Sequence, residues 1–199
     1  ADGLLMAPVS YTPLTQDETF QHYKAVTEAT SLPLCIYNNP STTHFTFTKE
    51  LLCRLSDIPS IKAVKMPPPK EGEVARELTE LRASPVGALA IGYSGDWIAA
   101  EALLAKCDGW FSVLGGFLPK IACQLSEAAL KEDTIAVKQY QERLQPIWTL
   151  FRELGSLRVV YAAVNHLGLS DAQPPRPLLP LTKIDQERVV KALEWVTIL

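Results

Sequence analysis

Ser60-Ile61-Lys62-Ala63-Val64-Lys65-Met66-Pro67 is the stretch on which the fold turns. Asp57-Ile58-Pro59 precedes it, and Pro68 and Pro69 extend the stop at Pro67. A short apolar, β-branched run between such breakers predicts a buried parallel strand. Alternation along a strand assigns Ile61, Ala63 and Lys65 to one face, and Lys62 and Val64 to the other. Lys65 then stands among apolar neighbours at the C-terminal end of a strand, the end that carries chemistry in an α/β barrel. Loss of hydration there disfavours the ammonium form and frees an amine to attack carbonyls. The plainer alternative is a lysine that reaches from the strand end into solvent.

The preceding unit weighs against that alternative. Leu32 to Asn38 reads as another buried strand, ended by Pro40. Leu34, Ile36 and Asn38 fall on one face, and Cys35 and Tyr37 on the other. Tyr37 thus occupies a strand end one βα unit before Lys65. Neighbouring parallel strands run about 4.8 Å apart, so a phenol and an amine can meet on one small ligand. A phenol there can shuttle protons while a carbinolamine forms and dehydrates. The alternative for Tyr37 is a rim aromatic with a satisfied hydroxyl.

Strands are also expected at Gly3–Ala7, Gly87–Gly92 and Gly109–Val113, giving five in all. Helices alternate with them: a capping box at Thr15–Glu18 opens one, Thr48 opens the next, and Glu71–Arg82 and Trp97–Ala105 follow. Strand-helix alternation predicts parallel βα units. Apolar runs in place of alternating ones predict that both sheet faces are covered. From Pro119 the pattern becomes helical, over 120–131, 134–154, 157–167 and 184–197, with a proline-rich loop at 173–180. The expected domains are a βα region over 1–118 and a last barrel helix plus helical domain over 119–199. Five strands fit either a doubly wound open sheet or part of an eight-stranded barrel. The first residues already follow a strand pattern, which favours a barrel that lacks its first three strands.

Bulk properties exclude several function classes. The chain has 199 residues, 47% of them hydrophobic and 21% charged, and a net charge of −3. That charge offers no basic field for nucleic acid or an anionic membrane, and no apolar run approaches a membrane span. Cys35, Cys53, Cys107 and Cys123 show no CxxC pairing and read as free thiols of a reducing, cytoplasmic compartment. His22, His44 and His166 form no ligand motif, so no metal is expected. Gly92-Tyr93-Ser94-Gly95-Asp96 lacks the spacing of a nucleophile elbow. Leu114-Gly115-Gly116 reads as a tight turn, since no GK[ST] follows it. Trp148, Leu150 and Trp195 read as core or interface residues.

Tyr37-Asn38-Asn39-Pro40, followed one unit later by a strand-end lysine, resembles the dihydrodipicolinate synthase / N-acetylneuraminate lyase family. These are class I, Schiff-base (β/α)8 barrels that act on pyruvate and other 2-keto acids. Ala7–Glu18 is similar to the family's loop after strand four, Tyr93-Ser94-Gly95-Asp96 to its turn after strand seven, and Gly109–Val113 to strand eight. The resemblance implies a partial TIM barrel, about strands four to eight, followed by a C-terminal helical region. It implies Lys65 as the Schiff-base lysine, Tyr37 as the proton relay and Tyr11 as a second relay reaching across a subunit interface. It also implies Gly95 as a backbone contact for the keto acid, Phe111 as a pocket wall, and a homo-oligomer, tetramer or dimer. No cofactor is expected, because the imine is itself the electron sink.

Thr42 stands where dihydrodipicolinate synthases carry an arginine, and a threonine supplies no cationic fork. A hydroxylated sugar acid, whose hydroxyls Thr42 and Thr43 can bond, therefore suits the chain better than aspartate semialdehyde; the plainer alternative is that both threonines are turn residues of a polar loop. The expected function is a lyase or aldolase acting on pyruvate or a 2-keto-3-deoxy sugar acid. Its rivals are a dehydratase using the same imine and a catalytically inactive barrel fragment.

Overall fold

The computed structural model describes residues 1–197, in two compact units, Ala1–Phe111 and the residues from Ser112 onward. The first unit holds five parallel strands: β1 (Leu4–Met6), β2 (Leu34–Tyr37), β3 (Ile61–Met66), β4 (Ala90–Tyr93) and β5 (Gly109–Trp110). They lie side by side in chain order. A doubly wound sheet reverses its strand order at a switch point; this sheet does not. Consecutive right-handed crossovers place every helix on the same face, as in a (β/α) barrel.

Helix α1 (Gln16–Glu28) starts at the expected capping box, with the Thr15 and Glu18 side chains each meeting the other's backbone N–H. A four-residue turn, α2 (Pro40–Thr43), follows β2, and Thr48 caps α3 (Lys49–Ser56). Helix α4 (Val74–Arg82) begins three residues later than its sequence pattern indicates. Its first N–H, and one in the turn before it, are satisfied from a distance: the Glu101 carboxylate, on α5 (Ala99–Leu104), accepts from Val74 N at 3.0 Å and Gly72 N at 3.1 Å. Gly87 and Ala88 fall in a 3-10 turn (Pro85–Ala88) where strand was expected, so β4 begins at Ala90.

Leu34, Ile36, Val64, Met66, Ile91 and Tyr93 point from the strands into one core with Tyr23, Leu51, Leu55, Leu78 and Ile98. The other face is not closed over as expected. Leu5 is 50% exposed and Ala90 is exposed, while Cys35, Tyr37, Ala63 and Lys65 are half-buried.

The expected alternation within β3 fails at one point. Leu34 pairs with Ile61, but Cys35 pairs with Ala63, so the register slips by one residue and Lys62 has no partner. Ile61, 2% exposed, consequently joins Val64 and Met66 in the core and does not line up with Ala63 and Lys65. Such an extra residue is a bulge, which re-aims the side chains beyond it.

Tyr93 donates its hydroxyl to Glu77 Oε1 at 3.0 Å. Burial, outweighing that bond, raises the Glu77 carboxyl above the usual range, and burial also raises the Tyr93 phenol. A carboxyl raised on folding is most comfortable protonated. Its contribution is favourable below the unfolded pKa and is lost as pH rises through the folded one. Glu77→Gln keeps an acceptor for Tyr93 and removes the charge. Urea unfolding should therefore show a gain at pH 7 larger than the ~0.5 kcal/mol typical of surface changes, shrinking toward zero at acid pH. An equal gain at both pH values would refute the assignment.

The second unit contains α6 (Pro119–Leu130), α7 (Thr134–Leu150), α8 (Ser156–His166) and α9 (Lys183–Thr197). Pro146 lies inside α7, and a π-type turn at Phe151–Gly155 leads into α8. Leu144, Ile147, Trp148 and Val159 are fully buried, whereas Trp195 is exposed. Among the described residues no helix is long and apolar enough to cross a membrane.

Candidate active site

The register of β2 against β3 places Tyr37 directly opposite Lys65. The Lys65 Nζ lies over the Tyr37 ring, 4.2 Å from its centroid, and 5.5 Å from the centroid of Phe111. Both rings offer their electron-rich faces to the amine, a contact of about 0.5–1 kcal/mol for an ammonium at an exposed site. All three side chains leave the sheet on the face opposite the helices.

Two features hold this arrangement. Asn38 N donates to Lys65 O at 3.0 Å, which carries the β2–β3 pairing to the strand end. On the other side Lys65 pairs with Gly92 of β4, and Phe111 N donates to Tyr93 O at 2.9 Å. The Phe111 ring then lies directly over Gly92, where an added Cβ would come within 2.6 Å of its Cε2. A strand glycine marks such a close approach, and Gly92 is a site residue that sequence reading did not single out.

Cys35 precedes Tyr37 by two residues on the same face. Burial pushes its thiol up to about 11, with the nearby Lys65 acting in the opposite sense. A thiol so raised remains protonated near neutral pH and is a poor nucleophile.

Gly95 lies in the turn after β4 with φ +85°. An added Cβ would approach Pro68 side-chain atoms to 2.8 Å. Both the backbone angle and the contact require glycine. Its carbonyl accepts from Ile98 N, while Ser94 donates its N–H and hydroxyl to Met66 O, tying the turn to the end of β3. The buried Asp96 beside it accepts from Trp110 Nε1 at 3.3 Å.

The remaining expected residues are arranged differently. Tyr11 is fully exposed and shares a cleft of about 200 Å³ with Thr43, His44 and Phe45; neither Lys65 nor Tyr37 lines it. Thr42 is exposed. The Thr43 hydroxyl donates to Asn39 O at 3.0 Å and accepts from Phe45 N at 3.3 Å, so it is engaged in shaping the turn. Asn39, quoted in the motif but given no role there, donates Nδ2 to Tyr37 Oη at 3.1 Å. No group of three or more His, Cys, Asp or Glu residues is placed to hold a metal ion among the described residues.

Chemically, the face presents an amine, a phenol held by an amide, and an aromatic wall. The comparisons with known proteins fit this set. A sequence model of the dihydrodipicolinate synthetase family matches residues 1–196. The 4-hydroxy-tetrahydrodipicolinate synthase of Neisseria meningitidis serogroup B is 31% identical over 195 residues, 98% of this chain and 65% of that protein. The chain thus spans just under two thirds of the length of that curated relative. Among solved structures, a dihydrodipicolinate synthase from Agrobacterium tumefaciens superposes with a TM-score of 0.96 at 53% identity, covering 99% of this chain and 66% of its own. The Acinetobacter baumannii synthase, solved with pyruvate, gives 0.85 at 30% identity, covering 100% and 67%.

Proposed function

The chain belongs to the dihydrodipicolinate synthetase family, and from that premise we propose that it is a lysine Schiff-base lyase or aldolase acting on pyruvate or a 2-keto-3-deoxy sugar acid. The observation that carries this reading is the Lys65 amine lying 4.2 Å over the Tyr37 ring on directly paired strand ends.

The proposed sequence of steps balances without a cofactor. The Lys65 amine adds to the keto carbon, and the proton its nitrogen sheds in doing so passes to the oxygen to give a carbinolamine. Tyr37 delivers a proton to the departing hydroxyl, water leaves, and an iminium remains. The iminium draws in the electron pair released when the neighbouring C–C bond breaks or a proton is lost, giving an enamine. Phe111 walls the pocket, Gly95 offers backbone contact to the keto acid, and the Thr42 hydroxyl meets a sugar-acid hydroxyl. Tyr11, on its exposed loop, supports the reading by being free to reach a second copy of the chain in a homo-oligomer.

Expulsion of a hydroxyl from the same enamine would make the protein a dehydratase. Thr42, a hydroxyl where a carboxylate-binding arginine would stand, favours a hydroxylated substrate for either reaction.

Borohydride trapping tests the reading. Incubation with pyruvate and reductant should leave the pyruvate carbons on the peptide containing Lys65 as a carboxyethyl secondary amine, the keto oxygen departing as water and hydride adding to the imine carbon, as read by mass spectrometry. A folded chain that acquires no adduct would instead support the inactive-fragment alternative. With a sugar-acid substrate, pyruvate plus an aldehyde identifies an aldolase, and a dehydrated keto acid identifies a dehydratase.

A further inference from the structure

Asn39 is held at three points. Its carbonyl accepts from Thr42 N at 3.1 Å, Thr43 N at 3.0 Å and the Thr43 hydroxyl at 3.0 Å. Its side-chain Oδ1 accepts from the Ser41 hydroxyl at 2.7 Å. Its Nδ2 donates to Tyr37 Oη at 3.1 Å. Pro40 follows and opens α2, and Phe45, whose N–H meets Thr43, is buried. The turn after β2 therefore presents one amide N–H to one phenol oxygen and fixes both ends of the group that does so.

We propose that Asn39 is a positioning residue for Tyr37, its amide N–H holding the phenol oxygen so that the phenol's own proton is left for the substrate. The proposal rests on the imine reading and adds what makes Tyr37 a competent relay. A phenol has one proton to donate and lone pairs to accept with. Because Asn39 donates, the phenol's proton is not consumed within the turn. A donor to the oxygen also stabilises the phenolate that forms when the proton is given up. Ser41 contributes by fixing which way the amide points. With the amide reversed, Tyr37 would donate to Asn39, its proton would be sequestered, and the phenolate would be disfavoured. The two arrangements predict opposite signs.

Asn39→Leu separates them. The phenolate absorbance attributable to Tyr37, defined as the signal lost in Tyr37→Phe, should emerge at higher pH in Asn39→Leu than in the parent. Imine formation with pyruvate should slow by roughly 2- to 10-fold, the range of one lost hydrogen bond, and its alkaline decline should move to higher pH. Ser41→Ala leaves the amide in place but loosens it, so a smaller shift of the same sign is expected. It carries the test should Asn39→Leu fail to fold. Titration unchanged or moved to lower pH overturns the proposal. The titration needs no catalysis, so it judges the Asn39 contact even if the parent forms no adduct, which would count against the imine reading alone. An adduct in the parent together with an unaltered rate and pH profile in both variants would sink the Asn39 role and leave that reading intact.

Discussion

Lys65→Met is expected to lose the borohydride-trapped carboxyethyl adduct entirely while the chain keeps its fold. The expectation follows from the amine's position against the Tyr37 and Phe111 rings. The other lysine of β3, Lys62, is exposed and has no partner in the register, because the pairing passes from Ile61 directly to Ala63. It cannot take over a site built around the Tyr37–Lys65 pair. Methionine retains an unbranched, flexible side chain, one heavy atom shorter than lysine. It forfeits a cation–aromatic contact of about 0.5–1 kcal/mol and replaces it with sulfur–aromatic contacts of about 0.3–1.5 kcal/mol to the same rings. The two nearly offset each other, so the melting temperature should stay within ~2–4 °C of the parent. Peptide mapping after reduction, with circular dichroism on the same sample, reads both quantities. A carboxyethyl group still found on the Lys65→Met chain would show that another lysine forms the imine and would remove Lys65 from the mechanism.

That pair of strand ends was legible in the sequence because each half rests on a local rule. Proline stops set the ends of β2 and β3, parity set the faces of Cys35 and Tyr37, and Thr15–Glu18 set the start of α1. What escaped was non-local. The slip between Ile61 and Ala63 depends on how β3 meets β2, and no property of Ile61 announces it. The late start of α4 depends on Glu101, which lies 29 residues beyond Gly72. That Thr43 shapes the turn was the plainer reading of a polar loop; its partners, Asn39 and Phe45, are what the loop sequence does not reveal. The open strand face escaped for a different reason. Apolar runs report what a sheet is built to bury, and Leu5 at 50% exposure is such a residue left uncovered in the described chain.

Gly92 offers the sharpest structural test of the site, since its lack of a side chain is what allows an aromatic ring to lie across from Lys65. In Gly92→Val, the Cβ alone would stand 2.6 Å from Phe111 Cε2 and 2.9 Å from Gly109 O. The first contact can be relieved by swinging the ring away; the second is backbone of the adjacent strand and cannot yield without opening the β4–β5 pairing. Overpacking of this kind costs about 1–3 kcal/mol, and valine's second methyl places this variant at the upper end. Two effects should therefore appear together: a clear fall in the urea midpoint, and a weaker pocket wall, seen as a higher pyruvate concentration for half-maximal trapping at Lys65. Phe111→Leu combined with Gly92→Ala separates the causes. Removing the ring should return part of the stability lost in Gly92→Ala alone, because only the Gly109 carbonyl contact remains. If the two substitutions instead add with no coupling, the ring does not rest on Gly92, and the assignment of Phe111 to the wall of the Lys65 pocket fails with it.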